Sequence, residues 1–285
     1  MSVETISPAP ELDKVALFDI DGTLIDNDYE VTSTEIYPAI EYAIEAGWQV
    51  GLSSDTPYDR MKEWHDHFGA NGPIIAEKGA HVVDSPLSET DTSEIRSQFL
   101  DLRDRAVGRF KDEGIKVWEG DPTILIRSGE PFPYDAEVGE VVVLLNSLRR
   151  HSFGYFIRVI GDGGTMHKSE ADTLRLHNVV RSFYPDGAKI HEDINHDFGL
   201  VIVSNASMNK RVGSLALLQS LGLQRFAMVG NSFADYVGSD IAIHFAVGDA
   251  TPEYKDVADV IATEPVTAGA AESLDLLTGR KAHKK

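Results

Sequence analysis

A short apolar run that ends in two closely spaced carboxylates constrains the fold of this chain more than any other feature. Val15–Phe18 is long enough for one buried strand, and Asp19 and Asp21 follow it at once. Gly22 then allows a sharp turn. Buried carboxylates are costly to desolvate without a positive partner, and ligands bind at the carboxyl ends of strands in open α/β sheets. The run therefore predicts an acidic site at a sheet edge, suited to a hard divalent cation such as Mg²⁺.

Two other interpretations of the acidic pair compete with a cation site. A strand followed by an acidic turn, in which the carboxylates accept backbone amides, fits the same residues equally well. A calcium loop also opens with Asp-x-Asp-Gly, but its sixth position, counted with Asp19 as the first, holds Leu24, where such loops need glycine. The choice between the first interpretation and a cation site depends on the rest of the chain.

Composition excludes several classes of function. The 285 residues include 26 basic and 46 acidic side chains, for a net charge of −20, which disfavours binding to nucleic acid or to an anionic membrane. The absence of cysteine excludes disulfides, thiolate catalysis and thiolate-bound zinc. The chain carries no signal-peptide pattern and no apolar run long enough to span a membrane, so we expect a cytoplasmic protein.

The first part of the chain alternates strands and helices. Helical spacing of apolar residues predicts helices over 34–46 and 58–68, and short apolar runs predict strands over 49–54 and 73–76. Together with the opening strand, this order predicts an α/β fold with a doubly wound, mostly parallel, Rossmann-like sheet.

From about residue 84 the strict alternation is lost. The pattern predicts helices over 93–113, 136–149 and 170–183, and strands over 116–118, 123–127, 155–160, 189–191 and 200–204. This mixture predicts a separate α+β domain inserted into the first one. We expect a core domain of residues 1–83 and 198–285 and an inserted domain of residues 84–197.

Two further positions have the chemistry of phosphate binding. Ser54 ends the second predicted strand, where a hydroxyl suits a phosphate oxygen, although a helix N-cap before Pro57 explains it too. Ser53 and Thr56 are alternative hydroxyls at the same place. Lys210 opens a predicted amphipathic helix, where a cation is unfavourable next to the positive end of the helix dipole unless an anion lies nearby. A solvent-exposed lysine is the competing interpretation.

A further buried strand, predicted over 225–229, is followed by a polar turn. That turn reads Gly-Asn-Ser-Phe-Ala-Asp and contains Asn231, Ala234 and Asp235. An asparagine amide binds a cation through oxygen, but without the charge of a carboxylate. Weaker metal binding than at a fully acidic site is therefore expected.

Asp19-Ile20-Asp21-Gly22-Thr23 resembles the first motif of the haloacid dehalogenase superfamily, whose members are mostly Mg²⁺-dependent phosphatases. Ser54, Lys210 and Asn231 with Asp235 resemble its second, third and fourth motifs, in the right order. Asp55 and Thr56 depart from the usual Gly-Arg of the second motif, and Asn231 and Ala234 depart from the acid and the asparagine of the fourth. The insertion point resembles that of the branch with a large α/β cap, which includes Cof-type sugar phosphatases.

The resemblance implies a role for each motif residue. Asp19 is the expected nucleophile, Asp21 the general acid and base, and Ser54 and Lys210 the groups that hold the phosphoryl oxygens. The implied ligands of Mg²⁺ are Asp19, the backbone carbonyl of Asp21, and Asn231 or Asp235. The implied substrate is a small phosphorylated metabolite, hydrolysed through an aspartyl-phosphate by a monomer or homodimer that binds neither nucleic acid nor membrane.

Two alternatives to a phosphatase stay open at this point. A sugar phosphomutase uses related motifs, but it needs a second phosphate site built from clustered arginines or lysines in the cap. A catalytically weakened binding or regulatory protein is favoured by Asn231 and Ala234.

Overall fold

The computed structural model describes residues 12–83, 89–196 and 198–280. These residues form two compact units. The core unit contains residues 12–83 and 209–280, and the inserted unit contains residues 89–208 apart from residue 197. Helices and strands are numbered below along the whole chain.

The core unit is built on a seven-stranded sheet in the order β13-β12-β11-β1-β2-β3-β4, in which only β3 and β4 pair antiparallel. Its strands are β1 (Val15–Phe18), β2 (Gln49–Ser53), β3 (Ile74–Ala76), β4 (His81–Val82), β11 (Phe226–Gly230), β12 (Ala242–Ala246) and β13 (Val260–Ile261). The predicted α/β class with a doubly wound, mostly parallel core is confirmed.

Helices cover both faces of this sheet, which explains why β1 is apolar throughout. The core helices are α1 (Ile36–Glu45), α2 (Tyr58–Phe68), α6 (Lys210–Leu221), α7 (Pro252–Lys255) and α8 (Val266–Thr278). Ala16 and Phe18 pack in the apolar cluster formed with α1, α2 and α8, whereas Val15 and Leu17 pack in the cluster formed with α6. All four side chains of β1 are buried, as expected for a central strand of a parallel sheet.

The inserted unit is a six-stranded sheet in the order β5-β6-β7-β10-β9, with β8 paired to β7. Its strands are β5 (Lys116–Gly120), β6 (Val141–Asn146), β7 (Ser152–Ile160), β8 (Met166–Lys168), β9 (Ile190–Asn195) and β10 (Leu200–Asn205). Its helices are α3 (Glu89–Asp112), α4 (Pro122–Ser128) and α5 (Glu170–Arg181). Phe99 of α3 and Leu176 of α5 pack on one face of the sheet, and Leu125 of α4 packs on the other.

The strand predicted over 123–127 is wrong, because this segment forms helix α4. The carboxylate of Asp121 accepts the backbone N–H of Thr123 at 2.9 Å and so caps the helix. Pro122 occupies the first turn, and Gly129 ends the helix in the left-handed conformation. These local signals outweigh the β-branched residues that suggested a strand.

The helix predicted over 136–149 is also wrong. Gly139, with φ +88°, precedes strand β6, which pairs with β5 on one side and with β7 on the other. An interior strand is buried on both faces and therefore reads as a continuous apolar run. Periodicity alone does not separate such a run from a buried helix.

The boundary predicted at 197/198 does not match the two units. Strand β10 pairs antiparallel with β7 and with β9, so residues 200–205 belong to the inserted sheet. The core unit resumes at Asn209. The other predicted boundary, at 83/84, adjoins residues 84–88, which lie outside the described residues.

Among the described residues, none of the helices combines the length and the apolar character needed to cross a membrane.

His244 of β12 predicts a specific loss of stability in acid. Its side chain is buried, and Nε2 accepts the backbone N–H of Val237 at 3.2 Å. Burial lowers its pKa to about 4, although the charge of Asp259 opposes this shift. The unfolded chain, with an ordinary pKa of about 6.5, binds the proton first as the pH falls. The stabilising contribution is therefore complete above pH of about 6.5 and is lost progressively towards pH 4.

Between pH 7 and pH 5 the free energy of unfolding should decrease in wild type. We expect this decrease to be about 2 kcal/mol smaller in His244→Gln. Glutamine keeps an acceptor for Val237 but does not titrate. Urea unfolding of both proteins at the two pH values measures the difference. An identical pH dependence in the two proteins would contradict the assignment.

Candidate active site

The carboxyl ends of three neighbouring strands meet at one edge of the core sheet. Phe18 of β1 pairs with Leu52 of β2 and with Val229 of β11, so the residues that follow these strands lie side by side. Asp19 continues the ladder, because its backbone N–H donates to the carbonyl of Val229 at 2.9 Å. The parallel arrangement thus brings the first, second and fourth predicted motifs together.

Lys210 lies between two carboxylates at this edge. Its Nζ donates to Oδ1 of Asp19 at 2.6 Å and to Oδ1 of Asp235 at 2.6 Å. All three side chains are buried, and that of Asp235 is only 1% exposed. The alternative of a solvent-exposed lysine is therefore wrong. The two anions also explain why a cation is tolerated at the first position of α6.

Two contacts fix the start of α6, which carries Lys210. Asn209 caps the helix by accepting the backbone N–H of Val212 at 3.0 Å. Gly79, with φ +94°, lies against the same turn, since a Cβ there would be 2.3 Å from the carbonyl oxygen of Asn209. Only glycine permits both this backbone conformation and this close approach.

Both carboxylate oxygens of Asp235 accept hydrogen bonds. Oδ1 accepts from Lys210, while Oδ2 accepts the backbone N–H groups of Asn231 and Ser232, each at 3.0 Å. The turn after β11 therefore wraps around this carboxylate. The sequence predicted the positions of Lys210 and Asp235 but carried no signal for the contact between them.

The charges of this cluster do not balance, since one ammonium faces two carboxylates. Burial, the charge of Asp235 and, to a smaller extent, that of Asp21 raise the pKa of Asp19 well above its ordinary value, although Lys210 acts in the opposite direction. Burial by itself would lower the pKa of Lys210, but the two carboxylates outweigh burial and raise it. Lys210 is therefore protonated throughout the physiological range.

Asp21 and Asn231 lie beside the cluster. Asp21 is exposed and begins a tight turn in which Gly22 N–H donates to the carbonyl of Ile25 at 2.7 Å. Gly22 has φ +77°, and a Cβ there would lie 2.0 Å from Nδ2 of Asn231. The amide of Asn231 therefore packs directly on the backbone of the first motif.

The residues at this edge fit a divalent cation. The cluster carries an excess negative charge, because the carboxylates of Asp19 and Asp235 share the one ammonium of Lys210. Hard cations such as Mg²⁺ bind to carboxylate oxygens. An added positive charge would also lower the pKa of Asp19 towards its ordinary value.

The hydroxyl of Ser54 is linked to Asp21 by hydrogen bonds through Thr56. Ser54 Oγ donates to Oγ1 of Thr56 at 3.1 Å, and Oγ1 of Thr56 donates to Oδ2 of Asp21 at 3.5 Å. Ser53, the other alternative, is fully buried, and its Oγ has no hydrogen-bond partner among the described residues. Thr56, one of the alternative hydroxyls of the second motif, is thus in contact with the side chain of Asp21.

The chain resembles known hydrolases in sequence. Residues 16–102 match the sequence model of a family described as haloacid dehalogenase-like hydrolase. A phosphoglycolate phosphatase of Metallosphaera sedula is 29% identical over 218 residues, which cover 72% of this chain and 91% of that protein. An HMP-PP phosphatase of Yersinia pestis is 30% identical over 121 residues. That match covers 40% of this chain and 44% of the relative, so it spans less than half of that protein's length.

The fold likeness extends over nearly the whole chain. A haloacid dehalogenase-like hydrolase from Bacteroides thetaiotaomicron superimposes with a TM-score of 0.60, covering 93% of this chain and 99% of that one, at 14% sequence identity. At this identity the likeness shows the fold alone. The predicted resemblance is confirmed, as is the expectation of an enzyme of the phosphoric monoester hydrolase type. The chain thus resembles the haloacid dehalogenase-like hydrolases in the sequence of residues 16–102, and it shares with them a fold in which a second α/β unit is inserted into the core unit.

Proposed function

We propose that this enzyme is a Mg²⁺-dependent phosphatase that hydrolyses a small phosphorylated metabolite through an aspartyl-phosphate on Asp19. The observation that carries the proposal is the buried contact of Lys210 with Asp19 and Asp235, because it fixes a carboxylate nucleophile beside a permanent positive charge. A buried ammonium that is always protonated stabilises the negative charge of a transferring phosphoryl group.

We infer the attacking atom of Asp19 from its contact with Lys210. Oδ1 accepts from Lys210, so Oδ2 is the oxygen available to attack phosphorus. The new bond joins Oδ2 to phosphorus, and the bond from phosphorus to the leaving oxygen breaks. Asp21, which is exposed at the strand end, gives its proton to that oxygen and then takes one from the water that hydrolyses the aspartyl-phosphate.

Ser54 and Lys210 complete the proposed phosphate site, and Asp19, the carbonyl of Asp21, Asn231 and Asp235 are the proposed metal ligands. When bound, Mg²⁺ supplies positive charge that favours the ionised form of Asp19 and offsets the charge of the phosphoryl group. This role fits the excess negative charge of the cluster and the raised pKa of Asp19.

The names of the relatives support a small substrate. Phosphoglycolate is a small phosphorylated acid, and the protein named for it aligns with most of this chain. The net charge of −20 disfavours a nucleic acid substrate. We further propose that the enzyme acts in the cytoplasm as a monomer or homodimer.

The proposal predicts that hydrolysis of phenyl phosphate or phosphoglycolate requires Mg²⁺ and stops when EDTA removes it. In Asn231→Asp we expect the half-saturating Mg²⁺ concentration to fall roughly tenfold, because a carboxylate replaces a neutral amide oxygen. Asn178→Asp, which adds the same charge to an exposed position of α5, is the matched control and leaves it unchanged.

Release of inorganic phosphate over a Mg²⁺ titration gives the half-saturating Mg²⁺ concentration of wild type and of both variants. Wild type that hydrolyses neither compound at saturating Mg²⁺ would overturn the proposal. If Asn231→Asp hydrolysed these compounds and wild type did not, the wild-type protein would instead be a catalytically weakened member of the family.

A further inference from the structure

Three side chains at the carboxyl ends of β1 and β2 form a continuous line of hydrogen bonds. Ser54 Oγ lies 3.1 Å from Thr56 Oγ1, which lies 3.5 Å from Oδ2 of Asp21. Ser54 is almost fully buried, Thr56 is half-buried and Asp21 is exposed, so the line runs outward from the core. Thr56 is thus the link between the hydroxyl proposed to bind phosphate and the proposed general acid.

The hydroxyl protons of Ser54 and Thr56 decide which group donates and which accepts in each of these hydrogen bonds. Ser54 Oγ accepts a hydrogen bond from the backbone N–H of Thr56 at 3.2 Å and donates one to Thr56 Oγ1. The remaining proton on Thr56 Oγ1 then points to the carboxylate of Asp21, which in its ionised form only accepts hydrogen bonds. The hydroxyl of Thr56 is therefore a donor towards Oδ2.

Two hydrogen bonds from the turn after β3 hold the backbone of residues 54–56. The carbonyl of Thr56 accepts the N–H of Glu77 at 3.2 Å, and the carbonyl of Ser54 accepts the N–H of Lys78 at 3.2 Å. Glu77 and Lys78 make these bonds with φ of +48° and +58°, in the left-handed region that ordinary residues rarely occupy. Strain of this kind persists where the surrounding structure demands it and is concentrated at functional sites.

We propose that Thr56 is a positioning residue for Asp21, an inference that rests on the proposed phosphatase function. By donating to Oδ2, Thr56 fixes the orientation of the Asp21 carboxyl group towards the leaving oxygen. The O–H bond of that carboxyl group breaks as the leaving oxygen gains the proton, and the same group later accepts a proton from the attacking water. The proton of Thr56 stays on Thr56 throughout. Contacts of this kind are often long without substrate and shorten when it binds.

Two aryl phosphates that differ in their leaving group test the proposal. Phenolate is a basic leaving group that needs a proton, whereas para-nitrophenolate leaves readily without one. We expect Thr56→Val to lower kcat/KM for phenyl phosphate about tenfold, a part of the 10²- to 10⁴-fold effect typical of general acid catalysis. For para-nitrophenyl phosphate the loss should be at most about twofold, and Thr56→Ser should restore both values.

The controls separate positioning from a structural role. Asp21→Asn should show the same dependence on the leaving group, with a larger loss. Thr278→Val, which removes a hydroxyl that bonds only within α8, should change neither value. If Thr56→Val does not fold, as judged by its urea midpoint, Thr56→Ala carries the same test with a smaller side chain.

The outcomes distinguish this inference from the proposed function. Equal losses for the two substrates, or no loss for either, would overturn the role of Thr56 while wild-type turnover upheld the phosphatase. Wild type inactive on both substrates at saturating Mg²⁺ would overturn the proposed function and this inference with it.

Discussion

Asp19→Asn is expected to abolish phosphatase activity while leaving the protein at least as stable as wild type in the absence of Mg²⁺. An amide does not form an acyl phosphate, so we expect kcat/KM to fall by at least roughly 10³-fold. The substitution also removes one of the two carboxylates that face Lys210, which balances the buried charge. Phosphate release from phenyl phosphate and urea unfolding in EDTA measure the two effects.

The opposite directions of the two effects make this prediction sharp. A substitution that merely damaged the fold would lower activity and stability together. Removal of the buried, unbalanced charge of the Asp19 carboxylate should lower activity alone. Asp112→Asn, which neutralises an exposed carboxylate at the end of α3, is the matched control and should change neither quantity. An Asp19→Asn protein that kept more than a tenth of wild-type activity would exclude Asp19 as the nucleophile.

Lys210→Met is expected to cause the largest loss of stability. Removal of the ammonium leaves the carboxylates of Asp19 and Asp235 buried without a positive partner, and breaking a buried ion pair in this way costs about 3–5 kcal/mol. The raised pKa of Lys210 means that its contribution is fully present below its unfolded pKa of about 10.4 and is lost only as the pH rises beyond that value. Urea unfolding at pH 7 in EDTA measures the loss, and phosphate release from phenyl phosphate should fall with it.

An exposed lysine provides the matched control for this variant. Lys62 pairs with Asp66 on the surface of α2, so Lys62→Met should cost less than about 1 kcal/mol. Adding Asp235→Asn to Lys210→Met should recover part of the loss, because it removes one of the unpaired charges. A Lys210→Met protein within 1 kcal/mol of wild type would show that the buried contact does not hold the core together.

The sequence predicted those parts of the site that local patterns specify. The apolar run of β1 has to be buried on both faces, so the carboxylates that follow it have to lie at a sheet edge. Lys210 opens α6 as predicted, and its unfavourable position relative to the helix dipole pointed to a nearby anion. Each of these inferences uses residues that are close together in the chain.

The rest of the site depends on contacts between distant segments. Nothing in the sequence indicates that Asp235 shares Lys210 with Asp19, since the ends of β1 and β11 and the start of α6 have to converge before the contact exists. The hydroxyl line through Thr56 depends likewise on the pairing of β2 beside β1. Such pairings follow from the topology rather than from local spacing.

The errors in the inserted unit have a common cause. Residues 123–127 and 141–146 are both short apolar runs that contain β-branched residues, and these suit a buried helix and a buried strand alike. Asp121, Pro122 and Gly129 decide the first case in favour of a helix, and burial between two neighbouring strands decides the second. Signals at the ends of a segment were therefore more reliable than those within it.

The position of β1 in the core sheet has a consequence for biosynthesis. β1 lies between β2 and β11, yet β11 begins only at Phe226, after the whole inserted unit. During translation, one edge of the entirely apolar strand β1 therefore stays unpaired until the inserted unit and β11 have been synthesised. Unpaired strand edges are prone to aggregation, and pairings between distant segments form slowly. Nascent chains released before β11 emerges are thus the form of this protein most in need of a chaperone.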